Sequence, residues 1–390
     1  MARSPQDIPD ATLRLLMVPG IGPATMRKLN ERFGSHEEAV GAPIDALMKI
    51  PGIARESAES LKRGMEAADV DAEREAMHRA HASLIVHGDD DYPPLLASIS
   101  DPPPALWVRG TITNADRLAI AIVGSRRCSP YGREQAARFA SLLAQSGLTI
   151  LSGGAVGIDG EAHRGALRVN GRTIAVMGCG LTECYPTQHK ELFDRIIDSN
   201  AGALISEHSM STPPRATHFP ARNRIISGLS LGVLVIEAAK RSGALITARA
   251  AAEQHGREVM ALPGRVDSPA SAGCLQAIRE GWAALVRDHA DVIAQLDASS
   301  QLVRGALEAA GHTDAATSAT LFDANLTDGQ KMIVDVLIEA GEPLVVDQLV
   351  ARTRLPLSQI LSDLTLLQIR GRVNKDQRGI SARTSRAEKR

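Results

Sequence analysis

The chain has 390 residues, enough for two or three domains at about 150 residues each. Hydrophobic residues make up 44% and charged residues 23%, a globular composition, but aromatics are only 3%, so the core must be built from Ala, Val, Ile and Leu. The 44 Lys and Arg are balanced by 45 Asp and Glu, which excludes coating of nucleic acid by bulk charge and leaves room for a local basic face.

Residues 1–82 read as a small helical domain. Two hairpins, Val18-Pro19-Gly20-Ile21-Gly22 and Ile50-Pro51-Gly52-Ile53, precede helix-forming runs over Ala24–Phe33 and Ala54–Met65. The pair fits a helix-hairpin-helix module, in which a Gly-x-Gly turn offers backbone amides to a DNA phosphate. Gly20-Ile21-Gly22, followed by Lys28, fits that role. Gly52-Ile53-Ala54 lacks the second glycine and fits a structural one. Residues 66–82, rich in Ala, Glu and Arg, read as a connecting helix.

From 83 to 297 the pattern changes. Apolar runs at Leu118–Val123, Leu148–Leu151, Thr173–Met177, Ala203–Ile205, Leu231–Ile236 and Glu258–Leu262 alternate with amphipathic pieces. That alternation predicts an α/β domain with a doubly wound parallel sheet and helices on both faces. Residues 298–325, rich in Ala, Ser and Thr, read as a linker. Residues 326–390 resume helical periodicity. Thr327-Asp328-Gly329-Gln330 is a capping box opening a helix that ends near Gly341. Helices over Val346–Thr353 and Ser358–Gln368 follow, then a hairpin at Gly371-Arg372-Val373-Asn374. This is a winged-helix order. Between Arg370 and Arg390, eight Lys and Arg stand beside two acidic residues, a basic tail.

Four cysteines, none in a C-x-x-C pair, make neither a disulfide scaffold nor a zinc site. No stretch of about 18 apolar residues occurs, and Met1–Asp10 has neither a basic start nor an apolar run. No signal peptide or membrane span is expected, and the expected compartment is the cytoplasm.

The chemistry concentrates at strand ends. Leu118–Val123 runs into Gly124-Ser125-Arg126-Arg127, and Leu148–Leu151 into Ser152-Gly153-Gly154-Ala155-Val156-Gly157-Ile158-Asp159. In a doubly wound sheet ligands sit outside the carboxyl ends of strands. Small residues there admit a phosphate to backbone amides, the next helix supplies a positive N-terminus, and Arg126 adds a fork of donors. The plainer reading is that the glycines only make tight turns. Neither G-x-G-x-x-G nor a Walker sequence is present, so a dinucleotide or P-loop nucleotide does not fit. From Ser206 to Arg249 there are six Lys and Arg and two acidic residues. Arg222, Arg224 and Lys240 are expected near the sheet edge that carries Arg126, an arrangement suited to an extended polyanion. Such contacts read no base sequence. Ser152, Asp159 and His163 lie close together without forming a recognised catalytic set. Cys179, between two glycines, has no basic neighbour in sequence to activate it.

Gly124-Ser125-Arg126, Ser152 to Asp159, Phe219 to Ser230 and Glu237-Ala238-Ala239-Lys240-Arg241-Ser242-Gly243 together resemble the DNA-processing protein A family (DprA, also called Smf). The resemblance spans roughly Ser83 to Asp297 and includes Asp91-Tyr92-Pro93-Pro94-Leu95-Leu96 and Pro102-Pro103-Pro104-Ala105-Leu106-Trp107. It implies an extended Rossmann-like domain that dimerises, binds single-stranded DNA and loads the RecA recombinase in natural transformation and recombination. No catalytic residue, metal or cofactor is implied. Arg126 and Lys240 correspond to basic residues of the family's DNA pocket. Gly124, Ser125, Ser152, Gly153, Gly154, Gly157, Arg222, Asn223, Arg224, Ser242 and Gly243 fall in the motifs around it. Gly273-Cys274 stands where the family usually has Gly-Asn, which touches only a local turn.

Two rival readings differ in class. A nucleotide N-glycosidic hydrolase of the LOG type needs Pro-Gly-Gly-x-Gly-Thr at a late strand end, where this chain has Pro263-Gly264-Arg265-Val266-Asp267. A sequence-specific regulator needs a base-reading helix, but Ser358–Gln368 offers Ser358, Gln359, Ser362, Asp363 and Thr365 with no Arg or Lys.

Overall fold

The computed structural model describes residues 3–296, 326–369, 372–376 and 379–382. The expected linker over 298–325, Gly371 of the expected wing and the basic run beyond 382 lie outside the described residues. The chain divides into two units, Met1–Ile112 with Ile174–Gly228 and Thr113–Thr173 with Leu229–Arg390.

The first unit opens with helices α1 (Asp10–Leu16), α2 (Pro23–Phe33), α3 (His36–Gly41), α4 (Ile44–Leu47), α5 (Arg55–Ala67) and α6 (Val70–Arg79). Pro23 starts α2 where a missing N–H costs nothing, and Gly34 ends it in the left-handed region. The hairpin glycines Gly20 and Gly52 have φ of 82° and 87°, which an L side chain resists. Leu13, Leu15, Leu29, Leu47, Ala58, Met65 and Met77 are buried, so the helical domain has an apolar core.

Strand β1 (Ala82–Val86) pairs antiparallel with β2 (Ala105–Gly110), and β2 pairs antiparallel with β6 (Gly202–Ser206). With β5 (Thr173–Val176) the order is β1-β2-β6-β5. Strands β1 and β2 thus add antiparallel pairs to the parallel sheet expected from sequence. The four-residue helix α7 (Pro94–Ala97) lies between β1 and β2. Helices α10 (Lys190–Asp198) and α11 (His218–Leu229) complete this unit.

The second unit carries β3 (Ala119–Val123), β4 (Thr149–Ser152), β7 (Gly232–Val235), β8 (Glu258–Ala261) and β9 (Ala284–Leu285), in the order β4-β3-β7-β8-β9. Its ladders are parallel. Every residue of β3 is buried, as a strand covered on both faces requires. The covering helices are α8 (Pro130–Gln145), α9 (Ile158–Arg168), α12 (Gly243–His255) and α13 (Ala272–Arg279). Small residues replace aromatics in this core. A side-chain carbon at Gly165 of α9 would meet Ala137 Cα and Ala140 Cβ of α8 at 2.9 Å, so the two helices pack closely. From β3 the chain turns through α8 to β4 on one side, while β7 lies on the other. The sheet therefore has a switch point between β3 and β7.

Helices Asp328–Ala340, Val346–Thr353 and Leu357–Ile369 and the hairpin β10 (Val373–Asp376) and β11 (Gly379–Ala382) form the winged helix. Ile333, Leu337, Leu344, Leu349, Ile360, Leu367 and Ile380 give it its own core. The capping box forms as read: Gln330 N donates to Thr327 Oγ1 at 3.3 Å, and Thr327 N to Gln330 Oε1 at 3.3 Å. The Gln330 amide also reaches Ser146 O at 3.1 Å, fastening the wing domain to the end of α8. No helix among the described residues is long and apolar enough to cross a membrane.

Candidate nucleic-acid interface

Parallel strands end on one edge, so the loops after β3, β4, β7 and β8 gather at the carboxyl edge of the second unit. Backbone bonds knit three of them together. Ser125 N donates to Glu237 O at 2.8 Å, and Ile158 N to Ser125 O at 3.2 Å. Close approach is what the glycines supply. At Gly157, with φ of 84°, a side-chain carbon would collide with the carbonyl oxygens of Ser125 and Arg126. At Gly124 it would lie 2.6 Å from Ile158 Cγ1 and 2.9 Å from Glu237 O.

Part of the expected phosphate cradle is buried. Ser152, Gly153 and Gly154 are buried, and the Ser152 hydroxyl donates to Ile122 O at 2.6 Å. The Ser152 side chain is thus tied inward to β3. In the turn leading into α9, the carboxylate of Asp159 in its first turn accepts from Ala155 N at 3.3 Å.

Glu237, two residues after β7, engages the start of α8. It is only 3% exposed, and its carboxylate accepts from Ser129 N and Ser129 Oγ, both at 2.7 Å. This clamp ties the loop that carries Arg126 to the strand end that leads to Lys240. Sequence reasoning missed it, because the two residues are 108 apart. The available signal was a lone acid at a strand end in a basic stretch.

What faces outward at this edge is cationic. Arg126, Arg127, Lys240, Arg241 and Gly243 are exposed, and Ser125 and Ser242 are half-buried. The Ser242 hydroxyl caps α12, accepting from Ala244 N at 3.3 Å, and the first turn of α12 contains no acid. Lys240, Arg241 and the start of α12 thus form a positive strip beside the Arg126 loop.

Arg222, Asn223 and Arg224 lie on α11 in the first unit, and two of them do not offer the surface charge expected. Arg222 is 3% exposed and its guanidinium donates to Val176 O. Arg224 is paired with Glu207 at 2.6 Å and Asp101 at 3.1 Å. Asn223 is half-buried. In the helical domain, Lys28 Nζ on α2 donates to Pro51 O at 2.8 Å and so ties that helix to the second hairpin.

The remaining reactive groups are engaged in structure. His163 Nδ1 lies 2.7 Å from Thr173 Oγ1, both buried. Burial pushes the Cys179 thiol up to about 11, far from an activated thiolate. Burial likewise lifts Cys274 to about 11, and its Sγ lies 3.8 Å from Val235 O beneath the end of β7. Arg265 of the loop after β8 closes on Asp267 at 3.0 and 2.8 Å. On the third helix of the winged domain, Ser362 and Asp363 are buried, while Leu357, Ser358, Gln359 and Leu361 are exposed. That face carries no cation for reading bases.

A family model described as DNA recombination-mediator protein A matches residues 83–297. A SAM-like helix-hairpin-helix tandem matches residues 12–67, and a DprA winged helix domain matches residues 315–376. Protein Smf of Synechocystis sp. is 34% identical over 382 residues, covering 92% of this chain and 94% of its own. Protein Smf of Escherichia coli is 44% identical over 289 residues, 74% of each chain. The X-ray structure of DNA processing protein A from Streptococcus pneumoniae matches with a TM-score of 0.63 and 35% identity, covering 74% of this chain and 98% of that one. With a family model spanning more than half of its length and a relative matched almost end to end, this chain belongs to the DNA recombination-mediator protein A (DprA/Smf) family.

Proposed function

We propose that this protein binds single-stranded DNA at the carboxyl edge of its second unit and serves as a recombination mediator. Arg126 and Lys240 grip successive phosphates there, and Ser125, Ser242 and Gly243 add hydroxyl and amide donors. Ser152, Gly153, Gly154 and Gly157 support this surface, while Arg222 and Arg224 stabilise their own unit. The observation that carries the reading is the joining of the two cationic loops through Ser125 N and Glu237 O at 2.8 Å. It supports the reading of Arg126 and Lys240 as parts of one surface. Contacts to phosphate fix position without reading sequence, which suits a protein that must accept any strand.

The bound strand is protected and passed to the RecA recombinase in natural transformation and recombination, a step that takes place in the cytoplasm. Two copies acting as a homodimer hold one strand more tightly than either alone. Apolar edges favour such pairing: β9 closes the strand order of the second unit, and its Leu285 is 47% exposed. The protein binds and delivers, and does not cleave.

A gel-shift comparison of single- and double-stranded oligonucleotides tests this. The wild type favours the single strand, and Arg126→Ala and Lys240→Ala each weaken binding by roughly tenfold, the loss of one charge-assisted contact. Unchanged affinity in both variants discards the site. Release of free base from nucleoside monophosphates by the same preparation would favour the hydrolase.

A further inference from the structure

We infer that Tyr131 is a nucleobase-stacking residue beside the phosphate-binding loops. The inference rests on the single-strand reading above and supplies what that reading lacks, a contact to the bases.

The chain has ten aromatic residues, 5 Phe, 2 Trp and 3 Tyr. Trp107, Phe139, Phe193 and Tyr92 are buried in cores. Of the described aromatics, Tyr131 and Tyr185 stand out as exposed, at 46% and 41%. Tyr185 packs on Phe219, with ring centroids 5.3 Å apart. Tyr131 is the second residue of α8, in which Ala136, Ala137, Phe139, Ala140, Leu143 and Ala144 turn inward.

Its position is fixed from both sides by the same carboxylate. Ser129, two residues earlier, donates to Glu237 twice at 2.7 Å. Gly132, one residue later, sits so close that a side-chain carbon there would lie 2.6 Å from Glu237 Oε2. The Tyr131 hydroxyl lies 3.5 Å from Pro263 O, at the outer limit of a hydrogen bond. The ring therefore lies along the carboxyl edge from the end of β7 toward the end of β8, in the span that Lys240 follows. A tyrosine loses little freedom on binding, since it has two side-chain torsions and here a clamped backbone. Stacking is also tolerant of sequence, because every base has a π face. Phosphates held by Arg126 and Lys240 would leave a base to lie on this ring.

The test compares a thymidine homopolymer with a phosphodiester of equal length made of abasic sites, by fluorescence anisotropy. Wild type is expected to prefer the base-bearing strand, and Tyr131→Phe to keep that preference. Tyr131→Ala is expected to lose roughly tenfold on thymidine and nothing on the abasic strand. If Tyr131→Ala weakens both equally, or neither, the stacking role is wrong while single-strand binding stands. If wild type binds neither strand, the single-strand reading itself fails.

Discussion

The charge of a residue in sequence does not say whether it meets solvent. Arg126, Lys240, Arg222 and Arg224 all read as cations of one basic stretch or strand end. Only the first two are exposed, because Arg224 meets Asp101 and Glu207 and Arg222 meets a carbonyl at the end of β5. Those partners are distant in sequence and could not be foreseen. Glu237 is the converse, an acid whose value lies in the basic loop it holds. Glu237→Gln replaces a double acceptor by a group that can accept at only one atom. One of the two Ser129 donors is then left facing an amide N–H, at a cost of about 1–3 kcal/mol. Urea denaturation should register that loss, and strand affinity should fall with it. A variant as stable as wild type would show that the clamp contributes nothing to stability.

At the scale of elements, the six apolar runs match strands to within two residues. The winged-helix capping box also forms as spelled. Buried parallel strands announce themselves as uninterrupted Val, Ile and Ala, so these were legible. The antiparallel β2 was not, because Pro102-Pro103-Pro104 masks its start and Arg109 and Gly110 close it. The two-residue β9 is shorter than any periodicity. The glycines were legible as turns, but half of their work is to let elements touch. Gly165 is the sharpest instance, since α8 and α9 contact through it. Gly165→Val overpacks that contact and should cost about 1–3 kcal/mol or more, seen as a lower melting temperature. An unchanged melting temperature would mean the helices can separate without penalty.

At the scale of the whole molecule, a helical module, an α/β body and a winged helix are joined in a chain of almost no net charge. The proposed strand binding therefore draws on a local concentration of charge, the exposed Arg126, Arg127, Lys240 and Arg241 at the carboxyl edge of the second unit. If homodimers form along β9, Leu285→Asp should yield a monomer in light scattering and lower the affinity for long strands more than for short ones. A dimer that survives this change places the contact elsewhere.

The most direct measurement is the salt dependence of single-strand binding for wild type, Arg126→Ala, Lys240→Ala and the double variant. Each phosphate contact adds about 0.7 to the slope of log affinity against log salt for single strands. The account predicts that each single variant lowers the slope by about that amount and that the double variant lowers it by about twice as much. Slopes identical to wild type in all three variants would contradict it.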